Sequence, residues 1–532
     1  MIRIWEFFKK HPVLSLLVFM LIAYLPGLLS QRGFWVEDEA RYAEILREMI
    51  GDGHWIVPHL NGAFYPDKPP TYFWLCSLLS LITGKITVSG CVFITVLSAA
   101  GTVIVTYFFG KRWISQPVGL ISGLILASSF LFLGMAQIIR MDMQMSFFIA
   151  LALFCFFLQY KEKRPYGYFL FYLFSAFAIM SKGPLGLAMT LVPVLFFLAG
   201  KRKWKTLVHV IFHWGFLLML LIAGGWLLLA WMTGHQDFVL DIFKTQIFGR
   251  AVNSFIHKQP FYFYLLLLPF VFLPWSAYLV RAVVWFRKQH KEMSSFLSWW
   301  FITGLVIISM VSGKLFIYIL PLMPPASIIL GGFFHEMMTS RNKEGKSFAV
   351  ESVLMTLLTF ATMGSVVFFK SQLPSIRTAT YTLLAAGCLT VIVPALWFSI
   401  RGKIRSLFLL FLTGMVMISY LVFFSIIPQI DSTLSAQKIG EKAGACLESG
   451  MTVSTFRVRR GIFNFYANGI LGEIGEETLP DYFQEDKKTL IMQKKHYEKY
   501  RDILKGATTP IYEQEIANHD YVLIKTKESM VP

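Results

Sequence analysis

Apolar residues run through this chain in blocks long enough to cross a membrane, separated by short polar stretches. Blocks of roughly 16–24 residues match a bilayer hydrocarbon core of about 30 Å, so each predicts a spanning helix. We predict thirteen such helices, at 11–29, 88–109, 117–136, 142–160, 166–180, 184–199, 207–232, 261–284, 296–312, 316–336, 349–369, 378–400 and 406–427. The apolar stretch 71–83 is too short to cross and is expected to lie at the interface or to re-enter. The first block lacks a good cleavage site and is expected to be retained as a signal anchor.

Composition supports a membrane protein. The 532 residues are 56% hydrophobic and 15% charged, whereas soluble domains average about 45–50% apolar and about 25% charged residues. The last hundred residues differ, because polar helices predicted at 433–448 and 493–504 alternate there with the strand-like runs MTVSTF, KTLIMQ and DYVLIKT. We therefore predict an α-helical polytopic domain, 1–429, with an outer juxtamembrane loop at 30–87, and a small C-terminal α/β domain, 430–532.

The distribution of charge predicts the orientation. Six alternate short loops, 110–116, 160–165, 200–205, 281–293, 337–347 and 401–405, hold 19 Lys and Arg residues against 3 Asp and Glu residues. The positive-inside rule places these loops and the N-terminus in the cytoplasm, and an odd number of spans places the tail outside. The net charge of +18 is thus explained by topology and anionic membrane lipid, and a nucleic-acid partner is excluded.

Under this topology, several segments bring ionisable residues to the outer side of the membrane. They are Asp38 and Glu39, Asp67 and Lys68, Arg140 and Asp142, Lys182, His257 with Lys258, and Lys314. Ionisable groups at a membrane boundary cost free energy unless a site uses them. Cations on the charge-poor side favour an anion as ligand, and a lipid-linked phosphate suits them.

Each of these residues also has a structural explanation. An amphipathic interfacial helix is predicted from Glu39 to Ile50, and Asp38 or Glu39 could cap it. Lys68 could extend its ammonium group to the membrane surface, and Arg140 with Asp142 could form a simple ion pair. His257 could be a buried neutral histidine, a general base, or a metal ligand together with Asp67. A metal is unsupported, because no second histidine lies at i+4.

Five motifs in order resemble a known family. They are DEARYAEILREM with GHWIVPHLNG and DKPP (38–70), MSKGP (180–184), HKQPFYFY (257–264), LPW (273–275) and SGKLFIYILP (312–321). They resemble the GT-C glycosyltransferases that use polyprenyl-phosphate sugars, a group that includes lipid A 4-amino-4-deoxy-L-arabinose transferases and protein O-mannosyltransferases. The resemblance covers residues 1 to about 335.

The resemblance implies roles for individual residues. Asp38 matches the family's first external acid, the main catalytic candidate, with Glu39 beside it, and Asp142 matches a second acid. Lys68 matches a lysine associated with the donor phosphate, and Lys314 with Tyr318 matches a segment that lines the donor site. Arg140 and Lys182 join them as further candidate phosphate-binding residues.

The activity implied is an inverting transfer of a sugar from undecaprenyl phosphate to an envelope acceptor at the periplasmic face of a bacterial inner membrane. The acceptor is expected to be lipid A, another envelope glycan or a protein hydroxyl, and no cofactor is required. The alternatives are a protein O-mannosyltransferase-like enzyme, an O-antigen ligase or polymerase-like enzyme, and a transporter or flippase of lipid-linked sugars. A transporter predicts internal repeats and ionisable groups near mid-membrane, and the sequence displays neither.

Overall fold

The structure is a computed structural model that describes residues 10–36, 38–244, 259–311, 313–339, 350, 353–354, 376–504 and 508–526. The chain divides into two compact units. The helical unit comprises Met1–Ser30, Pro66–Tyr72 and Cys91–Ser425, and the α/β unit comprises Gln31–Tyr65, Phe73–Gly90 and Ile426–Pro532.

The α-helices among the described residues are numbered here in chain order. They are α1 Pro12–Leu29, α2 Glu39–Gly51, α3 Thr71–Thr83, α4 Val88–Trp113, α5 Gln116–Ser128, α6 Phe130–Met135, α7 Met141–Glu162, α8 Gly167–Lys182, α9 Pro184–Gly200, α10 Trp204–Ile211, α11 Gly215–Met232, α12 Gln236–Asp241, α13 Phe263–Val271, α14 Leu279–Gln289, α15 Lys291–Met310, α16 Met323–Thr339, α17 Thr378–Ile400, α18 Ile404–Leu421, α19 Ile427–Leu434, α20 Gln437–Glu448, α21 Asn464–Ala467, α22 Lys494–Lys499 and α23 Arg501–Leu504. Short 3₁₀ turns cover Ser276–Tyr278 and Phe316–Leu322, and a π turn covers Val422–Ile426.

Eight helical stretches of the described chain are long and apolar enough to cross a membrane, or nine if one bent pair is a single span. The protein is therefore a multi-pass membrane protein, as predicted. Predicted spans 117–136, 166–180 and 184–199 appear as the shorter apolar helices α5, α8 and α9, and 349–369 lies almost wholly outside the described residues. The count of thirteen thus stays a prediction.

Two predicted spans are interrupted for identifiable reasons. The span 117–136 breaks between α5 and α6 at Ser129, where the hydroxyls of Ser128 and Ser129 bond back to carbonyls one turn earlier, 2.7 Å away in each case. The span 261–284 becomes α13 followed by a 3₁₀ turn and α14, bent by 113°. Pro269 and Pro274 lie on the N-terminal side of that bend, and proline removes a helical hydrogen bond.

The helices of the helical unit differ in how much they are covered by protein. Only 17% of the apolar window in Trp204–Met232 is buried inside the protein, whereas 89% is buried in Phe316–Thr339. Large apolar side chains such as Leu217 and Leu221 on α11 are exposed, as expected of a helix that faces lipid. The stretch Phe316–Thr339 is instead covered almost entirely by other parts of the protein.

The first helix of the unit contacts one of its last helices. The side-chain amide of Gln137 accepts a hydrogen bond from Gly27 N at 2.9 Å and donates one to Ser419 Oγ at 2.9 Å. The hydroxyl of Tyr420 also donates to Ile22 O at 3.1 Å. The two bonds of Gln137 satisfy polar groups that would otherwise be costly to bury, and all three bonds hold α1 against α18.

The tail in the α/β unit forms a five-stranded mixed sheet. Its strands are β3 Thr452–Phe456, β4 Gly472–Ile474, β5 Lys488–Gln493, β6 Thr508–Ile516 and β7 His519–Thr526, in the order β4-β3-β5-β7-β6. Side chains alternate between two cores, because Ile491 lies in one with α20 whereas Leu490 and Met492 lie in the other. The predicted C-terminal α/β fold is therefore confirmed.

The outer loop in the same unit forms a hairpin and a buried helix. Strands β1 (His59–Leu60) and β2 (Ala63–Phe64) are joined by Asn61 and Gly62, both with positive φ, as a tight Asn-Gly turn requires. The prediction of a helix from Glu39 is confirmed in α2, but the expected lipid-facing surface is wrong. Its charged residues Glu44 and Glu48 are fully buried, because the partners of α2 come from elsewhere in this unit.

Candidate active site

The clearest cluster of predicted residues joins Asp142, Lys182 and Tyr318. The Lys182 ammonium forms an ion pair with the Asp142 carboxylate, and both side chains are more than nine-tenths buried. Lys182 Nζ also lies 4.1 Å from the centre of the Tyr318 ring, a distance suited to a cation–π contact. Three segments that are far apart in sequence thus place a cation, a carboxylate and an aromatic ring together.

The local sequence explains this placement. Lys182 is the last residue of α8, and Gly183 ends the helix with φ +81°, a conformation that glycine adopts without strain. Pro184 then begins α9, where its fixed φ suits the first helical position. Asp142 lies in the first turn of α7, where the helix dipole favours a negative charge. Both charged side chains are therefore positioned by helix ends, Lys182 by the end of α8 and Asp142 by the start of α7.

The segment that carries Asp67 and Lys68 reaches the same end of the helical unit. Just after it, the hydroxyl of Thr71 donates to the carbonyl of Met180, two residues before Lys182. The next residue, Tyr72, bonds Thr95 Oγ1 at 3.0 Å, and Thr95 Oγ1 in turn accepts from the backbone N–H of Arg140 at 3.5 Å. The structure thus draws the segments of Lys68, Arg140 and Lys182 together.

Lys314 lies four residues before Tyr318 and is 6% exposed. Its ammonium donates to Val311 O at 2.8 Å, so one of its three N–H donors is used within its own loop. The hydroxyl of Tyr264 donates to Leu315 O at 3.2 Å and fixes the next residue. Lys314 is thus held on a constrained loop rather than on a flexible surface segment.

The opposite ends of these helices carry the basic loops. Arg112 at the end of α4 pairs with Glu162 at the end of α7, and Glu292 accepts a hydrogen bond from Tyr160 at 3.0 Å. Because α7 begins beside Lys182 and ends beside these residues, the candidate site and the Lys/Arg-rich loops occupy opposite ends of the unit. That separation is what the loop charges predicted.

The two remaining candidate acids lie in the α/β unit. Glu39 is 3% exposed, and its Oε1 accepts from Arg32 Nη2 at 2.9 Å, with a second bond to Nη1. Asp38 is half-buried and occupies the N-cap position of α2, yet its side chain makes no capping hydrogen bond among the described residues. Glu39 is therefore engaged in an ion pair, whereas the side chain of Asp38 does not cap α2 within the described structure.

The described residues contain no group of three or more His, Cys, Asp or Glu side chains that could hold a metal ion. Asp67 is half-buried, and His257 lies outside the described residues. Thr71, Tyr72 and Thr95 were not predicted as site residues from the sequence. Thr71 and Tyr72 directly follow the DKPP motif, whereas Thr95 has no sequence signal, since single hydroxyls in apolar helices usually bond their own backbone.

The chain is similar to known proteins in sequence and in fold. The profile of the family described as "Dolichyl-phosphate-mannose-protein mannosyltransferase" matches residues 67–228. An undecaprenyl phosphate-alpha-4-amino-4-deoxy-L-arabinose arabinosyl transferase of Enterobacter sp. (strain 638) is 32% identical over 60% of this chain and 59% of its own. The enzyme of that name from Edwardsiella ictaluri is 31% identical over 66% of this chain and 63% of its own. The chain thus spans less than two thirds of the length of these relatives.

Among solved structures, the fold is similar to that of ArnT from Cupriavidus metallidurans bound to undecaprenyl phosphate. The TM-score is 0.79 at 17% identity, covering 97% of this chain and 98% of the other. Fold and profile together define a multi-pass membrane protein of the GT-C class. The chain is thus similar in sequence to enzymes named as undecaprenyl-phosphate aminoarabinose transferases and in fold to a protein of the GT-C type.

Proposed function

We propose that this protein transfers a sugar from undecaprenyl phosphate to an acceptor in the cell envelope, at the periplasmic face of a bacterial inner membrane. The observation that carries the proposal is the buried Lys182, held between Asp142 and the ring of Tyr318 at the end of the helices opposite the basic loops. A buried lysine is a functional-site candidate by default, because its desolvation must be compensated.

The cations suit a departing phosphate. When the bond between the anomeric carbon and the phosphate oxygen breaks, negative charge grows on the phosphate, and fixed positive groups lower the barrier. An ammonium has three donors, and Asp142 uses part of that capacity in Lys182. In this proposal Lys182, Lys68, Arg140 and Lys314 bind the phosphate, and the ring of Tyr318 stabilises the ammonium of Lys182.

Asp38 is the proposed general base. A hydroxyl acceptor gives its proton to the Asp38 carboxylate while its oxygen bonds to the anomeric carbon, and polyprenyl phosphate leaves from the opposite face with inversion. A phosphate acceptor is already an anion, and Asp38 would then orient it. We assign Glu39 a structural role, because its carboxylate is engaged with Arg32, and we assign Asp142 the holding of Lys182.

The names of the curated relatives support a particular sugar and donor. Both relatives are described as transferring 4-amino-4-deoxy-L-arabinose from undecaprenyl phosphate, and we propose that sugar here, with lipid A as the acceptor. The matching family profile is described as a protein mannosyltransferase, which makes a protein hydroxyl the second candidate acceptor.

Mass spectrometry of lipid A, of membrane proteins and of polyprenyl-phosphate sugars, in cells with and without the protein, tests the proposal. We expect a sugar on lipid A that disappears with the protein and with Lys182→Met, while the polyprenyl-linked sugar accumulates. The matched control is Lys161→Met, which replaces an exposed lysine in one of the basic loops and should behave as wild type. A sugar found on protein instead would favour the second acceptor. Unchanged glycans on both would overturn the proposed transferase.

A further inference from the structure

Four consecutive residues just before Asp38 are fastened to the tail by hydrogen bonds. Gly33 N donates to Asp431 Oδ1 at 3.1 Å, and Phe34 N donates to the hydroxyl of Tyr466 at 2.6 Å. The indole N–H of Trp35 donates to Asp431 Oδ1 at 2.8 Å, and Val36 N donates to Leu434 O at 2.9 Å. Each of these four hydrogen bonds has its acceptor on α19 or on α21.

These bonds replace the local ones that a loop would otherwise need. Buried backbone N–H groups must be paired, and residues 33–36 lie in no helix or strand ladder. Their acceptors are distant in sequence, since 398 residues separate Gly33 from Asp431. The carboxylate of Asp431 accepts a backbone and an indole N–H together, and bonds to a charged acceptor are stronger than neutral ones.

Side-chain packing fixes the same run of residues. Phe34 is 3% exposed, and its ring meets Phe465 edge to face at 5.0 Å. Gly33 lies so close to Ser435 that a Cβ at position 33 would overlap that side chain. The run therefore fits the tail both by hydrogen bonds and by shape, which a loop that merely passes over a surface would not require.

The fastened run leads directly into the candidate base. Trp35 O accepts the N–H of Ala40 at 3.1 Å in the first turn of α2, and Trp35 N donates to Glu39 Oε2 at 3.1 Å. The guanidinium of Arg32 covers the Trp35 ring at 4.0 Å while pairing with Glu39. The indole N–H of Trp35 thus bonds the tail, and the backbone of Trp35 bonds the start of α2. The tail therefore holds the end of α2 at which Asp38 lies.

We propose that Asp431 and Tyr466 are positioning residues for the transfer reaction: they act through Trp35 and Phe34 to hold Asp38 where the acceptor must lie. The inference rests on the proposed function and gives the tail a part in it. Displacing a reacting group by about 1 Å can cost about 100-fold in rate. Loosening the run should therefore lower kcat more than it alters the KM for the donor, whose proposed phosphate ligands lie in other segments.

The experiment compares Asp431→Ala, Asp431→Asn and Tyr466→Phe in the full-length protein. Asn retains the Oδ1 that accepts from both Gly33 and Trp35 but loses the charge and the 3.2 Å contact of Gly33 N with Oδ2, so it should restore most of what Ala removes. Tyr482→Phe is the matched control, because it removes a tyrosine hydroxyl whose 3.0 Å bond to Thr489 O lies wholly within the tail. Hydrogen–deuterium exchange of the peptide containing residues 33–36, and kcat and donor KM with an undecaprenyl-phosphate sugar, are measured for each.

Asp431→Ala and Tyr466→Phe should speed exchange at residues 33–36 about tenfold and lower kcat about 10–100-fold, with the donor KM within about threefold. Asp431→Asn and Tyr482→Phe should remain within about threefold of wild type in both measurements. Faster exchange with unchanged kcat, or an Asn variant as impaired as Ala, would overturn the positioning role. Wild-type protein that transfers no sugar would overturn the proposed function instead, and exchange alone would then decide whether the tail holds the run.

Discussion

The ammonium of Lys182 lies over the ring of Tyr318, with Nζ 4.1 Å from the ring centre, while Asp142 binds the same ammonium from another helix. A phosphate that approaches Lys182 meets a cation whose charge is already partly balanced. The carboxylate keeps the lysine in place when no donor is bound, and the ring stabilises the ammonium without competing as an anion would. Under the proposed function, this arrangement would make the binding of phosphate reversible.

Removing one partner of the buried pair should destabilise the protein strongly. We expect Lys182→Met or Asp142→Asn alone to cost about 3–5 kcal/mol of unfolding free energy, because each leaves a buried charge unpaired. The double variant should cost less than the sum of the two, measured as a double-mutant cycle by denaturant titration in micelles. Lys161→Met, which breaks an exposed pair with Glu292, should cost about 1 kcal/mol or less. Additive losses would mean that the two side chains are not energetically coupled.

Tyr318 should act through its ring rather than its hydroxyl. Tyr318→Phe retains the aromatic face and should keep transfer within about threefold of wild type. Tyr318→Leu removes a cation–π contact of about 0.5–2 kcal/mol, which corresponds to a loss of about 2–30-fold in kcat/KM. If Phe impairs the enzyme as much as Leu, the hydroxyl is the functional group.

Asp38→Asn separates chemistry from helix capping. Since Asn keeps the size of Asp and much of its ability to cap a helix, the substitution should hardly change the melting temperature. Loss of a positioned base should lower the transfer rate about 10²–10⁴-fold, measured with saturating lipid-linked sugar. Glu39→Gln should instead lower the melting temperature, because it weakens the pair with Arg32, and should leave the transfer rate nearly unchanged. Transfer by Asp38→Asn within about threefold of wild type would remove Asp38 from the chemistry.

Stability of the α/β unit should rise as the pH falls towards 5. Burial raises the pKa of Glu44 from 4.5 to about 7, and the hydrogen bonds from Arg47 only partly oppose this. The folded protein therefore binds this proton more tightly than the unfolded chain. The resulting stability is fully present below about pH 4.5 and is lost as the pH rises through about 7.

The measurement is the apparent melting temperature between pH 5 and 8. Glu44→Gln should flatten a slope that amounts to roughly 2–3 kcal/mol in wild type. Glu473→Gln is the control with the opposite sign, because Arg460 lowers the pKa of that carboxyl, so its contribution is lost only at acid pH. An unchanged slope in Glu44→Gln would show that another group titrates.

Cysteine labelling can test the predicted orientation without removing native thiols. The five native cysteines are all buried, so a membrane-impermeant maleimide should report only on introduced ones. Glu477→Cys in the tail should label in intact spheroplasts, and Lys203→Cys in a basic loop only after lysis, because both positions are exposed. Labelling of both in intact cells would contradict the loop-charge prediction.

Sequence patterns predicted what depends on local periodicity and on charge. Spacing and composition predict the helix from Glu39 and the strand at 488–493. Loop charge predicts which end of the helical unit carries Lys182. The burial of α2 could not be predicted, because its amphipathic face suits lipid as well as protein. The pairing of Lys182 with Asp142, rather than of Arg140 with Asp142, depends on how α7 and α8 pack, and no local signal encodes that choice.

The contact between α1 and α18 has a consequence for biosynthesis. The hydroxyl of Tyr420 reaches the carbonyl of Ile22 across 398 residues of chain, and Asp431 reaches Gly33 across the same separation. A ribosome adding about 5–20 residues per second needs about 20–80 seconds to make that interval. During that time the first helix and the outer loop lack their final contacts, so membrane proteases and chaperones can bind them. A nonsense codon before position 420 would therefore leave the oldest part of the polypeptide without either of these contacts.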